Sequence, residues 1–243
     1  MTGQPRRYAA PEVPEPARSR VRLGLVTIGQ VPRTDLTADV ADLLAGVDWV
    51  EHGALDALDD GALQAIRPRP HEGTLISRLR DGSSVTIALE RIGPLLDDAL
   101  RACAQDGCTQ VLVLCTGHLD HGPAPLPVAH AEELAHASMA GIADDRPLGV
   151  ICPLPAQQAD IAGRWATRLG RPVLVADADP YSTSSRRAVA DAAAGLAAEG
   201  AQVLFLDCMG YTRAHAQAAT DATGLAAYPA RALAIAALTG ASA

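Results

Sequence analysis

One pattern occurs twice in the chain. A helix-like segment ending in glycine leads through a polar step into an apolar strand and then Cys-x-Gly. The copies are DDALRACAQDGCTQVLVLCTG at 97–117 and ADAAAGLAAEGAQVLFLDCMG at 190–210. Parallel strands need a crossover between them, usually a helix, so repeated helix–strand units build parallel α/β sheets. Helix–Gly–strand units recur in all such folds, and chance likeness is the competing reading. The shared Cys-x-Gly ending favours a true duplication. It predicts two pseudo-symmetric lobes, each a mainly parallel sheet flanked by helices. Each lobe then presents one thiol from a strand's carboxyl end into a cleft between them.

The rest of the chain reads in the same alternation. VRLGLVTIG (21–29) is a first strand, TDLTADVADLLAGV (34–47) a helix and VDWVEHG (47–53) a second strand, followed by an acidic loop. Residues 74–89 flank RDGSS as a hairpin, 92–107 form a helix, and 110–115 a strand. HGPAPLPVAH is Pro-rich and reads as loop, with a helix at 131–143 beyond it. A strand near Leu148, a helix closed by Gly170, the RPVLVADADPYS strand and loop, a helix at 185–200 and a strand at 201–208 follow. Two elements close the chain around 212–223 and 229–240. These readings place a disordered Pro/Arg-rich tail at 1–20, lobe 1 at 21–120 completed by about 212–243, and lobe 2 at 121–211.

Composition narrows the chemistry. The 243 residues suffice for two small lobes with real cores. A formal charge of -8 argues against a nucleic-acid or anionic-membrane surface. All 20 basic residues are arginine. Without lysine there is no Schiff base to pyridoxal phosphate and no P-loop contact to a nucleotide. The five cysteines are odd in number and include no C-x-x-C pair, which speaks against both a secreted disulfide framework and a structural zinc site. No apolar run approaches the length of about 18 residues that spans a bilayer, and the N-terminus lacks a signal-peptide core. The expected setting is the reducing cytoplasm, with no membrane or nucleic-acid partner.

A glycine just after a strand-end cysteine permits a tight turn into a following helix. Free N–H groups and the helix dipole there lower a thiol's pKa. One thiol on each side of a carbon acid suits deprotonation from one face and reprotonation from the other, which is racemisation or epimerisation without a cofactor. Two packed core cysteines remain the bland alternative. Cys115 and Cys208 are therefore the candidate acid–base pair. Cys103 and Cys108 read as structural, and Cys152 as packing.

A carboxylate substrate needs donors. In TIGQVPRTD, Thr27, Gly29 and Gln30 follow the first strand, and Arg33 offers a bidentate fork. The competing role for Arg33 is a surface pair with Asp35. Thr116, Gly117, Met209 and Gly210 supply hydroxyl or backbone donors at the two turns. His118 lies three residues after Cys115 and could exchange its proton. Tyr181, in the rim loop after the lobe-2 strand, and Tyr211 are further contacts. HLDH (118–121) matches no common metal spacing, so no metal is expected. Asp207 faces either the thiol or the structure, and His215 could line the pocket.

TIGQVPRTD, VLCTGH, Pro180–Tyr181 and LDCMGYT (206–212) together resemble the AroM family, as do EHGALDAL (51–58) and the spacing from Pro153 to Gln157. That family is similar to the aspartate/glutamate/hydantoin racemase superfamily. The resemblance implies two α/β lobes, a cleft between them, one cysteine per lobe and a cofactor-independent mechanism. Cys115 and Cys208 match the paired thiols by position, and a homodimer is the superfamily's habit. Many superfamily racemases carry Asn-Thr after the first cysteine and Thr-His after the second. Here those positions are Thr116-Gly117 and Met209-Gly210, so the usual amino-acid donors are not all present. The leading reading is a racemase or epimerase of a small carboxylate such as an α-amino acid. The alternatives are decarboxylation or cis–trans isomerisation of a small dicarboxylate using one cysteine, and a non-catalytic acid-binding protein.

Overall fold

The structure is a computed structural model that describes residues 21–117 and 119–241; the expected tail at 1–20 and His118 lie outside the described residues. Lobe 1 contains β1 (Arg22–Thr27), α1 (Thr34–Thr37), β2 (Asp48–Gly53), α2 (Asp60–Ala65), β3 (Thr74–Arg78), β4 (Ser84–Ala88), α3 (Leu89–Gln105), β5 (Gln110–Leu114), β6 (Val128–His130) and α4 (Ala131–Ala143). Lobe 2 contains β7 (Leu148–Cys152), α5 (Gln158–Leu169), β8 (Leu174–Asp177), α6 (Ser185–Ala198), β9 (Val203–Leu206), α7 (Arg213–Thr223), β10 (Ala227–Pro229) and α8 (Ala230–Thr239).

Each lobe holds a four-stranded parallel sheet, ordered β2-β1-β5-β6 in the first and β8-β7-β9-β10 in the second. The strands therefore correspond one to one, and β5 and β9, which precede the two thiols, occupy equivalent central places. Their sequences, QVLVL and VLFL, bury nearly every residue because helices cover both faces of a parallel sheet. The two-lobe α/β architecture is as the duplicated pattern predicts.

One core lies between the sheets and two lie outside them. Between the sheets, the alanine-rich α4 and α8 pack together with Leu23, Leu112, Val150 and Phe205. Small side chains on both helices let the axes approach closely. On the outer side of lobe 1, α3 and the β3–β4 hairpin bury Ile87, Leu96 and Leu100. On the outer side of lobe 2, α6 and α7 bury Val189, Ala193 and Ala219.

Three local readings are corrected. The helix expected at 34–47 is a single turn, α1, followed by further turns. The acidic loop contains α2, whose first turn is capped by Asp59 accepting the Ala62 N–H at 2.8 Å. The Pro-rich loop ends in β6. The sheets also divide the chain differently from the expected 21–120 and 121–211. β6 pairs with β5, and β10 pairs with β9, so residues 212–229 belong with lobe 2. Three-residue strands are too short for periodicity to reveal which sheet they join. α8 returns toward lobe 1 through its contact with α4, and Arg213 at the start of α7 pairs with Asp42 of lobe 1.

Candidate active site

A cleft of about 770 Å³ separates the lobes at the carboxyl ends of β5 and β9. That volume suits a small molecule. Lobe 1 contributes Ile28, Arg33, the strand β3, Cys115, Thr116 and Gly117 to its walls. Lobe 2 contributes Gln157, Arg164, Tyr181, Asp207, Cys208 and Met209.

The two thiol turns have the same local geometry. Gly117 N–H donates to Cys115 Sγ at 3.3 Å, and Gly210 N–H donates to Cys208 Sγ at 3.3 Å. A Cβ at position 210 would lie 2.7 Å from Pro180 and 2.8 Å from the Tyr181 ring, so glycine is needed for this approach. Both cysteines are buried, with 8% and 7% exposure. No helix follows Cys115 directly, and α7 starts five residues after Cys208. The expected lowering of thiol pKa by a helix N-terminus is therefore overturned. Burial pushes Cys115 up to about 12 and Cys208 up to about 11, against the glycine N–H bonds that favour the thiolates. Each side then carries a neutral thiol, a proton donor whose conjugate base is strong.

The TIGQVPRTD loop builds a buried cation. Arg33 is 2% exposed. It donates from Nε and Nη2 to the Asp35 carboxylate, both at 2.9 Å, and from Nη1 to Thr27 Oγ1 at 3.0 Å. The pairing with Asp35 exists, but it is buried at the cleft wall instead of lying on the surface. Thr27 thus orients Arg33. Gly29 packs against the hairpin, where a Cβ would sit 2.3 Å from the Arg78 carbonyl. Gln30 donates to the Leu55 carbonyl at 3.1 Å and accepts from Arg80 N–H at 3.2 Å. Its side chain ties the loop to the hairpin and does not reach the cleft lining.

Residues 23–239 match the family described as AroM protein. The chain belongs to the AroM family. Comparison with curated proteins finds no match. Among solved structures, the chain is similar to glutamate racemase isoform RacE1 from Bacillus anthracis, at 13% identity and a TM-score of 0.60, covering 92% of this chain and 82% of that one. It is similar to allantoin racemase from Klebsiella pneumoniae at 16% identity and 0.57, with 91% and 89% covered. Unliganded arylmalonate decarboxylase gives 12% identity and 0.55, with 92% and 94% covered. At these identities the likeness is one of fold: the AroM chain shares the two-lobe architecture of these racemases and this decarboxylase.

Within this AroM site, Thr116 donates its hydroxyl to the Asp207 carbonyl at 3.1 Å. Its only hydroxyl hydrogen joins the lobes and is not free for a carboxylate. Tyr181 lies at the wall beside Arg33, with the Arg78 guanidinium 5.6 Å above its ring. Burial raises its phenol pKa. Tyr211 is fully buried behind the cleft, donating to the Ala178 carbonyl at 2.6 Å. His215 is also turned away: it closes a capping box with Thr212 and meets Ser185 Oγ at 3.0 Å.

Three features escaped the sequence reading of roles. The Asp207 carboxylate meets His136 Nε2 at 2.9 Å and accepts from Trp165 Nε1–H at 3.2 Å. Burial opposes its ionisation, but His136 and Trp165 outweigh that cost and hold its pKa below the usual range. Gln157 donates to the Thr74 carbonyl at 2.8 Å, joining lobe 2 to the hairpin of lobe 1. Arg231, in the first turn of α8, is fully buried and grips the Met209 carbonyl through Nε at 2.9 Å and through Nη2. Its Nη1 donates to the Asp35 carbonyl at 2.7 Å. A lone arginine in the apolar helix ARALAIAALT was the available signal, since an arginine is rarely fully buried without a partner.

Proposed function

We propose that this AroM protein is a cofactor-independent racemase or epimerase of a small carboxylate such as an α-amino acid. The observation that carries the reading is the matched pair of Cys-x-Gly turns, each with glycine N–H on sulfur, in one cleft at the ends of equivalent strands. One cysteine, as thiolate, takes the α-proton. The other, as thiol, returns a proton to the opposite face. Exclusion of water by the buried walls protects the carbanion. The cation of Arg33 holds the carboxylate, since the Thr116 hydroxyl is committed to Asp207 and the Gly117 and Gly210 N–H groups to sulfur. The cytoplasm, where five free cysteines stay reduced, is the proposed setting. Among the described residues no helix is long and apolar enough to cross a membrane.

Solvent-deuterium exchange at the α-carbon of a panel of amino and hydroxy acids tests this. Exchange with racemisation is expected in the native protein and absent in Cys115→Ala/Cys208→Ala. Normal turnover in that double variant would sink the proposal. A decarboxylase-type reaction on one cysteine is the second reading, favoured by the unequal charges around the two thiols. It predicts that one single variant keeps full activity.

A further inference from the structure

The two turns share a backbone but not their surroundings. Behind the Cys208 turn stands Arg231, with two N–H groups on the carbonyl of Met209, the central residue of Cys208–Met209–Gly210. The same guanidinium holds the Asp35 carbonyl, and Asp35 in turn grips Arg33. One fully buried side chain thus ties the Cys208 turn to α1. Among the described residues no arginine clamps the carbonyl of Thr116, the equivalent residue in lobe 1. Its hydroxyl instead reaches across to Asp207.

Arg231 is also badly placed for simple stability. It sits at the positive end of the α8 dipole, where cations are disfavoured, and it is 0% exposed. The carboxylate recorded against it is Asp39, at 3.5 Å. Its short hydrogen bonds go to neutral carbonyls. The Asp35 and Asp39 carboxylates act on Arg231 from a distance, and its buried charge reaches Cys208, where charges are weakly screened.

We propose that Arg231 is a positioning residue that makes the two thiols inequivalent. By clamping the Met209 carbonyl it keeps the Gly210 N–H on Cys208 Sγ, and its charge lies behind that sulfur. Cys208 is then the thiol that gives up its proton more readily, and Cys115 is the one that holds it more firmly. In the first half-reaction the Cys208 thiolate takes the substrate proton to become a thiol. In the second the Cys115 thiol gives its proton to the carbanion and becomes the thiolate. The inference of chemical roles rests on the acid–base reading above, but the inequivalence itself does not.

Around the two sulfurs, Arg33 and Arg231 favour ionisation of Cys208 against burial and the charge of Asp207, whereas the main charges acting on Cys115 among the described residues include no cation. Cys208 faces Arg33 and Arg231, with Asp207 next to it, and the phenols of Tyr181 and Tyr211 lie close to it. His136 partly offsets Asp207. Beyond this shell stand Asp35 and Arg78 on the Arg33 side, Asp39 on Arg231, and His215, which feels the Arg231 charge. Cys115 faces Cys208, Glu132 and Asp207, all of which oppose its ionisation.

Iodoacetamide alkylation read site by site by mass spectrometry tests the inference without substrate. Rates at Cys208 and Cys115 are followed from neutral to alkaline pH, because labelling tracks the thiolate. In the native protein the Cys208 profile is expected to rise about one pH unit below that of Cys115, a tenfold rate preference at a given pH. Arg231→Gln should move the Cys208 profile toward that of Cys115 and leave Cys115 in place. Arg231→Lys, which keeps the charge, should restore part of the gap. Coincident native profiles, a lower profile for Cys115, or an equal shift at both sites in Arg231→Gln would overturn it. Should Arg231→Gln fail to fold by circular dichroism, the native pair of profiles decides. Separate profiles in a protein that exchanges no acid would retain the inequivalence and reject the racemase reading.

Discussion

The two lobes repeat a sheet and a thiol turn but surround them differently. In lobe 1 the thiol turn is followed by an irregular Pro-rich loop, and the β3–β4 hairpin forms part of the cleft wall. Lobe 2 has no hairpin there and supplies α5 and the Tyr181 loop instead. The residue before the thiol is Leu114 in lobe 1, packed in the central core, and Asp207 in lobe 2, paired with His136 and Trp165. The difference separates what chemistry needs twice from what it needs once. A sulfur held by a glycine N–H occurs on both sides. The cations Arg33 and Arg231 act on one of them, Cys208.

Removing the sulfurs tests the shared half of this comparison and carries the largest effect. Cys115→Ala and Cys208→Ala are each expected to lower racemisation by about 10²–10⁴-fold, the usual worth of a positioned acid or base. Chiral chromatography of product from each enantiomer measures it. A single variant with native rates would reduce the paired turns to one functional copy.

Copying lobe 1 into lobe 2 tests the unshared half. Asp207→Leu places the equivalent lobe-1 residue before Cys208, yet it leaves His136 and Trp165 without their acceptor. Leaving buried donors without their acceptor costs about 1–3 kcal/mol each, measurable by urea denaturation. Adding His136→Leu is expected to recover part of that loss. Full stability in Asp207→Leu would show that the carboxylate cluster is dispensable to the fold.

The acid limb of stability sharpens the comparison further, because α7 has no helical counterpart in lobe 1. Burial, with the charges of Arg231 and Arg186, lowers the His215 pKa to about 4. The unfolded chain takes up that proton below about pH 6.5 while the folded chain does not. The His215 contribution to stability is therefore expected to fall from pH 6.5 toward pH 4 and to level off below. His215→Gln keeps a side chain able to close the capping box with Thr212 and should flatten that slope. An unchanged slope would mean that other groups titrate there.

The duplicated unit at 97–117 and 190–210 was legible because both copies keep the helix–Gly–strand order, and α3–β5 and α6–β9 follow it. Cys115, Cys208, Arg33 and Tyr181 line one cleft. The sulfur pKa direction was not legible. It depends on how much protein closes over each thiol, and local sequence does not record that. Gln30 and Tyr211 are polar residues next to cleft residues, but their side chains turn into the structure, and only the packed neighbours decide that orientation. Arg231 lies 23 positions beyond Cys208 in an otherwise apolar helix, so no spacing rule links it to the turn that it clamps.

The bond between the lobes carries the smallest of these effects. The Thr116 hydroxyl leaves one thiol turn and ends on the carbonyl beside the other, at 3.1 Å and buried. Met209, its counterpart, has no hydroxyl to return the bond, so the link runs in one direction only. Thr116→Val removes the donor with little change in shape and leaves the Asp207 carbonyl unsatisfied in a dry place. The expected loss is about 1–3 kcal/mol in urea denaturation, and Thr116→Ser should recover most of it. The Gly117 N–H bond to Cys115 Sγ does not involve the hydroxyl, so the alkylation profile of Cys115 should stay in place in Thr116→Val. Native stability in that variant would mean that the lobes are held by their shared α4–α8 core and not by a bond between the turns.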